Sequence, residues 1–258
     1  MKGYALLATI AVMTGIATAK DVAPEAKDAA PEDKLIAFHT SVRVDVDASG
    51  KPVSVRAPDT LPAVVREHIE HSVALWGYQP ARRDGVAVAA TTFVTVGVCA
   101  RPDGDRIWLG MDFKGNGPRL LSPSHRLPVP WFPVDAVRAG AEGRFNVNYT
   151  VLPDGTTRVD SVEALDRRAM RGYGRAFEQS LTSWAKGLRY EPEQVAGVAV
   201  ATQQSVPVSF GVSPGRWKPE PVNPAATKAE CREAAGSGLS PVAIDSPVTV
   251  RVTPKPAG

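Results

Sequence analysis

The chain has few of the features that carry chemistry. Its 258 residues contain no Gly-x-Ser-x-Gly elbow, no phosphate-binding loop and no dinucleotide fingerprint, and no Ser or Cys has a candidate base beside it in sequence. Nothing here points to an enzyme or to a bound cofactor. The formal net charge is only +3, spread without any block of like charges. That excludes the basic footprint of a nucleic-acid protein and a polybasic membrane patch. Past Ile16 there is no second apolar run near the roughly 20 residues that a helix needs to cross a bilayer. Clustered titratable groups occur once, in Arg66-Glu67-His68-Ile69-Glu70-His71. His68 and His71 share a helix face, but the i, i+4 histidine pair of a zinc hydrolase is missing, so a solvated charged face is the reading and no metal is expected. "GNGP" at 115–118 reads as a turn, since no apolar helix follows it.

The amino terminus has Lys2, an apolar run over Gly3–Ile16 and a small-x-small site at Ala17-Thr18-Ala19. This is the composition of a cleaved secretory signal. Residues 1–19 are expected to be removed after Ala19 and the chain exported to the periplasm. The alternative is an uncleaved segment acting as a single inner-membrane anchor. In an exported chain the two cysteines, Cys99 and Cys231, are expected to pair.

Residues 20–34 form a short Ala/Pro/charge leader, and alternation then begins. Val42, Val44 and Val46 face one way and Arg43, Asp45 and Asp47 the other, a half-buried strand that turns at "DASGKP" and returns through "VSVRA". An amphipathic helix follows, with Val64, Val65, Ile69, Val73 and Trp76 on its apolar face. A valine-rich strand closes the unit. The same order recurs: a hairpin turning at "LPDGTT", a helix expected over about Asp166 to Lys186 carrying Met170, Tyr173, Phe177, Leu181 and Trp184, then a closing strand through Phe210. Tyr78-x-Pro80 and Gly85 return 112 residues later as Tyr190-x-Pro192 and Gly197. The hairpin glycines Gly50 and Gly155 are 105 apart, so the second helix region is expected to be two turns longer. This reads as a duplication: a first domain over 35–99, a Pro/Gly-rich ordered connector over 100–141 with a strand at "RIWLGMDF", a second domain over 142–213, and a Pro-rich tail over 214–258 with one strand at "SPVTVRV". Trp76 and Trp184 are read as core residues, and Tyr78 and Tyr190 as fillers of the helix-to-strand corner with hydroxyls satisfied locally.

Two runs carry a resemblance. One is Gly50, Trp76, Tyr78, Pro80, Gly85 and Val94-x-Val96-x-Val98; the other is Gly155, Trp184, Tyr190, Pro192, Gly197 and Val206-Pro207-Val208-x-Phe210. Each resembles the carboxy-terminal domain of TonB-type energy transducers, over about half the chain in total. The resemblance implies an α+β fold of two tandem small domains, each a three-stranded antiparallel sheet on one or two helices. It also implies a non-enzymatic envelope protein that takes extended segments of partner proteins by strand addition, TonB-dependent outer-membrane receptors among them. The candidate edge is Gln203, Gln204, Ser205, Val206, Val208 and Phe210, because Pro207 is tolerated only at an edge or bulge. A membrane-anchored transducer subunit is the alternative. Membrane contact is expected only if the amino-terminal segment is retained.

Overall fold

Valine alternation builds the first strand as its pattern requires. In β1 (Ile36–Val46) Val42, Val44 and Val46 are buried and the residues between them are half-exposed. A computed structural model of the chain describes residues 36–103, 106–122, 127–166, 172–211, 239 and 241–252. The expected signal segment, the leader and Cys231 lie outside the described residues. β2 (Pro52–Arg56) returns antiparallel to β1, and α1 (Ala63–Ala74) follows. Three short strands come next: β3 (Gly77–Gln79), β4 (Ala81–Arg83) and β5 (Val86–Val88). The long closing strand β6 (Ala90–Asp103) lies against β1 over its Ala90–Ala100 stretch.

The connector continues the sheet. β7 (Arg106–Gly117) pairs with β6 from Phe93 to Asp103. The strand expected at "RIWLGMDF" is therefore present, while the turn expected at 115–118 is corrected. Gly115, Asn116 and Gly117 are the end of β7, opposite Thr95, Val94 and Phe93. The ladder shifts register between Val96 and Thr95, and glycine at φ of 155° and 149° carries the strand on past that irregularity. β8 (Arg119–Leu120) and the short α2 (Val134–Arg138) complete the connector.

Residues 143–210, the stretch read as a second copy, follow a similar order of elements with β9 (Gly143–Val151), β10 (Thr157–Ala164), α3 (Gly174–Gly187), β11 (Tyr190–Glu191), β12 (Gln194–Val195), β13 (Val198–Ala199) and β14 (Thr202–Phe210). The tail adds β15 (Val242–Ala243) and β16 (Thr249–Arg251). The fold is α+β and rich in sheet. One sheet runs β13-β12-β6-β1-β2 with β7 on β6, and the other β10-β9-β14-β15. Each carries its own core, and all the described residues fall in one compact unit.

Three helix expectations change. α3 starts at Gly174, because Gly172 at φ 76° cannot continue a right-handed helix, and Met170 lies outside the described residues. The helix has 14 residues against 12 in α1, so most of the added length lies before it and not in two extra turns. Val64 leaves the predicted apolar face and is 73% exposed; Ile69, Val73 and Trp76 are buried. The two tryptophans are also not equivalents. Trp76 follows α1 and meets Phe113 of β7 edge-on, whereas Trp184 lies inside α3 and donates its indole N–H to the Pro128 carbonyl at 2.6 Å. Both pack in the core, so the connector is ordered around α3: Phe132 stacks at 5.0 Å on Phe210 and 5.8 Å from Phe177.

Candidate partner-binding edge and the junction between the copies

The recurring Tyr-x-Pro step is a corner built on backbone contact. A Cβ at Gly50 would lie 2.3 Å from the Tyr78 carbonyl oxygen, and one at Gly155 would lie 2.2 Å from that of Tyr190. Each hairpin glycine is thus required by the tyrosine of its own copy, which explains why the two positions recur together. The Tyr78 hydroxyl donates to the Val73 carbonyl at 2.8 Å, and the Tyr190 and Tyr149 hydroxyls share a bond at 2.6 Å. Burial raises the pKa of all three phenols. Gly85 and Gly197 have a second common reason: Asp84-Gly85 and Ala196-Gly197 are both at positive φ, the form of a tight hairpin turn whose first position favours Asn or Asp. Ala196, exposed and at φ 52°, is strained there. Ala196→Asn is expected to raise stability by about 1 kcal/mol, read as a higher urea midpoint; no change would show that the strain is absent.

Pro80 and Pro192 hold different chemistry beyond them. Where the first copy has Ala81, the second has Glu193, and this side chain is fully buried. Its carboxylate accepts from Thr92 at 2.5 Å, Ser246 at 2.7 Å and Thr202 at 2.9 Å. Asn116 donates to Ser246 at 2.8 Å and to the Val248 carbonyl at 2.7 Å. Strands of both copies, β7 and the tail thus meet at one carboxyl. Burial raises its pKa, partly offset by the three hydroxyls, and nearby Asp245 pushes the same way as burial. The gap between the motif proline and glycine differs between the two stretches, with Glu193 fully buried and Val195 7% exposed in the second. A single signal was available: an acid directly after the motif proline in one copy only. β12 also pairs with β6, adding the second copy to the first sheet, and Glu191 accepts from Arg43 at 3.3 Å and from Arg119.

The candidate edge divides by parity. Gln204, Val206, Val208 and Phe210 bury their side chains, so they hold β14 in the core and offer no side chain to a partner. Gln203, Ser205, Pro207 and Ser209 face outward or sit half-exposed. The Gln203 N–H donates to Asp245 Oδ1 at 2.6 Å and its carbonyl accepts from Ile244 at 2.9 Å, so both backbone groups point away from β9. Strand alternation sends those of Ser205, Pro207 and Ser209 the same way. Pro207 therefore has its missing N–H on the outer side, where no ladder bond to β9 is lost. β15 pairs with β14 at Gln204 and Ser205 only.

The remaining singled-out groups are dispersed. His68 and His71 are exposed on α1, while Glu70 accepts from the Ala57 N–H at 2.9 Å. Among the described residues no three His, Cys, Asp or Glu side chains cluster as a metal site. Cys99 is buried in β6.

No family profile matches the chain. Over 91 residues it is 31% identical to the protein TonB of Pseudomonas aeruginosa. The chain is TonB-like over that stretch. The match covers 35% of this chain and 25% of that TonB, so it accounts for about one copy's length and leaves most of TonB unmatched. Among the described residues no helix is long and apolar enough to cross a membrane.

Proposed function

We propose that this is an exported, non-enzymatic envelope protein related to TonB, built of two tandem TonB-carboxy-terminal-like domains, which takes extended segments of partner proteins by strand addition on β14. Outer-membrane receptors are the partner class that the TonB likeness suggests. One observation carries the choice of strand. β6 is paired along both sides, by β1 and β7, whereas among the described residues the outer side of β14 pairs with the two residues of β15 and is bonded by Ile244 and Asp245 at Gln203, leaving its Pro207–Ser209 end uncovered. Unpaired amides and carbonyls at such an edge are a template for a further strand. A photo-crosslinking residue at Ser209 is expected to trap an envelope protein in cells, and the same probe at Arg158, on the opposite edge strand β10, is not. Equal trapping at both, or none at Ser209, overturns the assignment.

The TonB match also favours a second reading, a membrane-anchored transducer subunit. The intact mass of the unreduced protein recovered from cells separates the two. A chain beginning at Lys20, two hydrogens lighter than its reduced form, is expected for an exported protein with Cys99 bonded to Cys231. A retained Met1 supports the anchor, and an unchanged mass on reduction removes the disulfide.

A further inference from the structure

Two outer strands of the second sheet are protected differently. β10 has a bulge between Val159 and Ser161 and carries Arg158, Asp160 and Glu163, devices that discourage edge-to-edge pairing. β14 has none of these: its register against β9 is unbroken, and its outward residues Gln203, Ser205, Pro207 and Ser209 are all uncharged. Its edge is instead covered by the chain itself. In both copies the residues that follow the closing strand add to it, but the cover is unequal: β7 lies along β6 from Phe93 to Asp103, while β15 meets β14 at two positions.

That short cover is held by backbone bonds, one carboxylate and the packing of Ala243 over Gly117 of β7. Ile244 donates to the Gln203 carbonyl, and Asp245 accepts from the Gln203 N–H. Val242 and Ile244 are 54% and 60% exposed, so little apolar surface is buried by keeping them in place. The next residues are anchored separately, through Ser246 on Glu193, the buried Val248, and β16 paired with β3. β15 can leave β14 without releasing that anchor.

We infer that residues 242–245 are an internal stand-in for the partner strand: they hold the β14 edge until an extended segment of like chemistry displaces them. That segment has small or β-branched residues at the ladder positions and an acid placed as Asp245 is, to accept the Gln203 amide. The inference rests on strand addition at β14, and it adds the regulation of that edge and the sequence class of its partner. A cover bonded this thinly delays partner-free pairing between copies and yields to a longer segment, which gains ladder bonds at Ser205, Pro207 and Ser209.

The test uses the whole protein and a fluorescein-labelled peptide of residues 239–246, Leu-Ser-Pro-Val-Ala-Ile-Asp-Ser. Ile244→Pro with Asp245→Ala removes both attachments to the Gln203 backbone, at exposed positions. The double variant is expected to bind the peptide about tenfold more tightly than the unaltered protein, from two hydrogen bonds no longer competing. A peptide with Ala for its Asp is expected to lose that gain. Asp245→Ala alone keeps the backbone intact and is expected to show part of the gain, which covers misfolding of the double variant. Equal peptide affinity in all proteins, with trapping at Ser209 intact, overturns the stand-in and spares strand addition. No peptide binding and no trapping at Ser209 overturns both.

Discussion

Tyr190→Ala is expected to destabilise the protein by about 3–5 kcal/mol, the range for deleting a buried aromatic side chain. The ring is 2% exposed and lies in the second core beside Tyr149, with ring centroids 6.1 Å apart. Its backbone is gripped as well, since the Tyr190 N–H donates to the Gly155 carbonyl at 2.9 Å. Truncation leaves a cavity and a buried Tyr149 hydroxyl without its partner. Tyr190→Phe separates the two terms: it keeps the ring and orphans the hydroxyl, at a cost of about 1–3 kcal/mol. Urea unfolding of the three proteins decides it. A Tyr190→Ala loss below about 1 kcal/mol would mean that the corner collapses without penalty, and the assignment of this motif to the fold would be wrong.

Glu193 gives the second large effect. Glu193→Ala is expected to cost about 3 kcal/mol or more, because the Thr92, Thr202 and Ser246 hydroxyls lose their common acceptor inside the protein. Glu193→Gln keeps an acceptor and removes the buried charge. The sign with pH follows from the raised pKa. A carboxyl whose folded pKa lies above its unfolded value keeps its proton more readily when folded, so the folded protein binds more protons between those two values. Its contribution is full below the ordinary value of 4.5 and declines as pH rises from there through the folded pKa. Stability of the unaltered protein relative to Glu193→Gln is therefore expected to fall as pH rises above 4.5. A difference that grows with pH would show that the hydroxyls favour the charged form more than burial opposes it. Asp245 also faces this carboxyl, so the series is repeated in Asp245→Ala to remove its share.

The sequence made the recurring order of elements legible because the recurring residues answer to local physics. Valine alternation, a helix with a three-and-four spacing, an aromatic two residues before a proline and a glycine-turned hairpin are each readable within a few residues. Tyr78 and Tyr190 were readable as a corner for that reason, and Gly50 and Gly155 as hairpin turns, but not the contact between them. Glu193 was not. Its environment is assembled from Thr92, Asn116, Thr202 and Ser246, residues on β6, β7, β14 and the tail, and no local pattern records that convergence. The edge was half legible. Pro207 marks β14 as tolerant of an outer position, but the parity that buries Val206, Val208 and Phe210 turns on which face meets α3 and α2. Val206→Pro would for the same reason break the ladder to β9 and not only an outer edge. The start of α3 was lost to Gly172, a stop signal placed inside an otherwise helical spacing.

The tail strand β16 pairs with β3 in the first copy, and the connector strand β8 pairs with β11 in the second. Each half of the chain is completed by residues translated after it or before it, never by its own alone. During synthesis the first core, which includes Val248, therefore waits for residues 248–251, long after its own strands have left the ribosome. A stop codon just upstream of Leu239 would damage most the half of the protein that was made first.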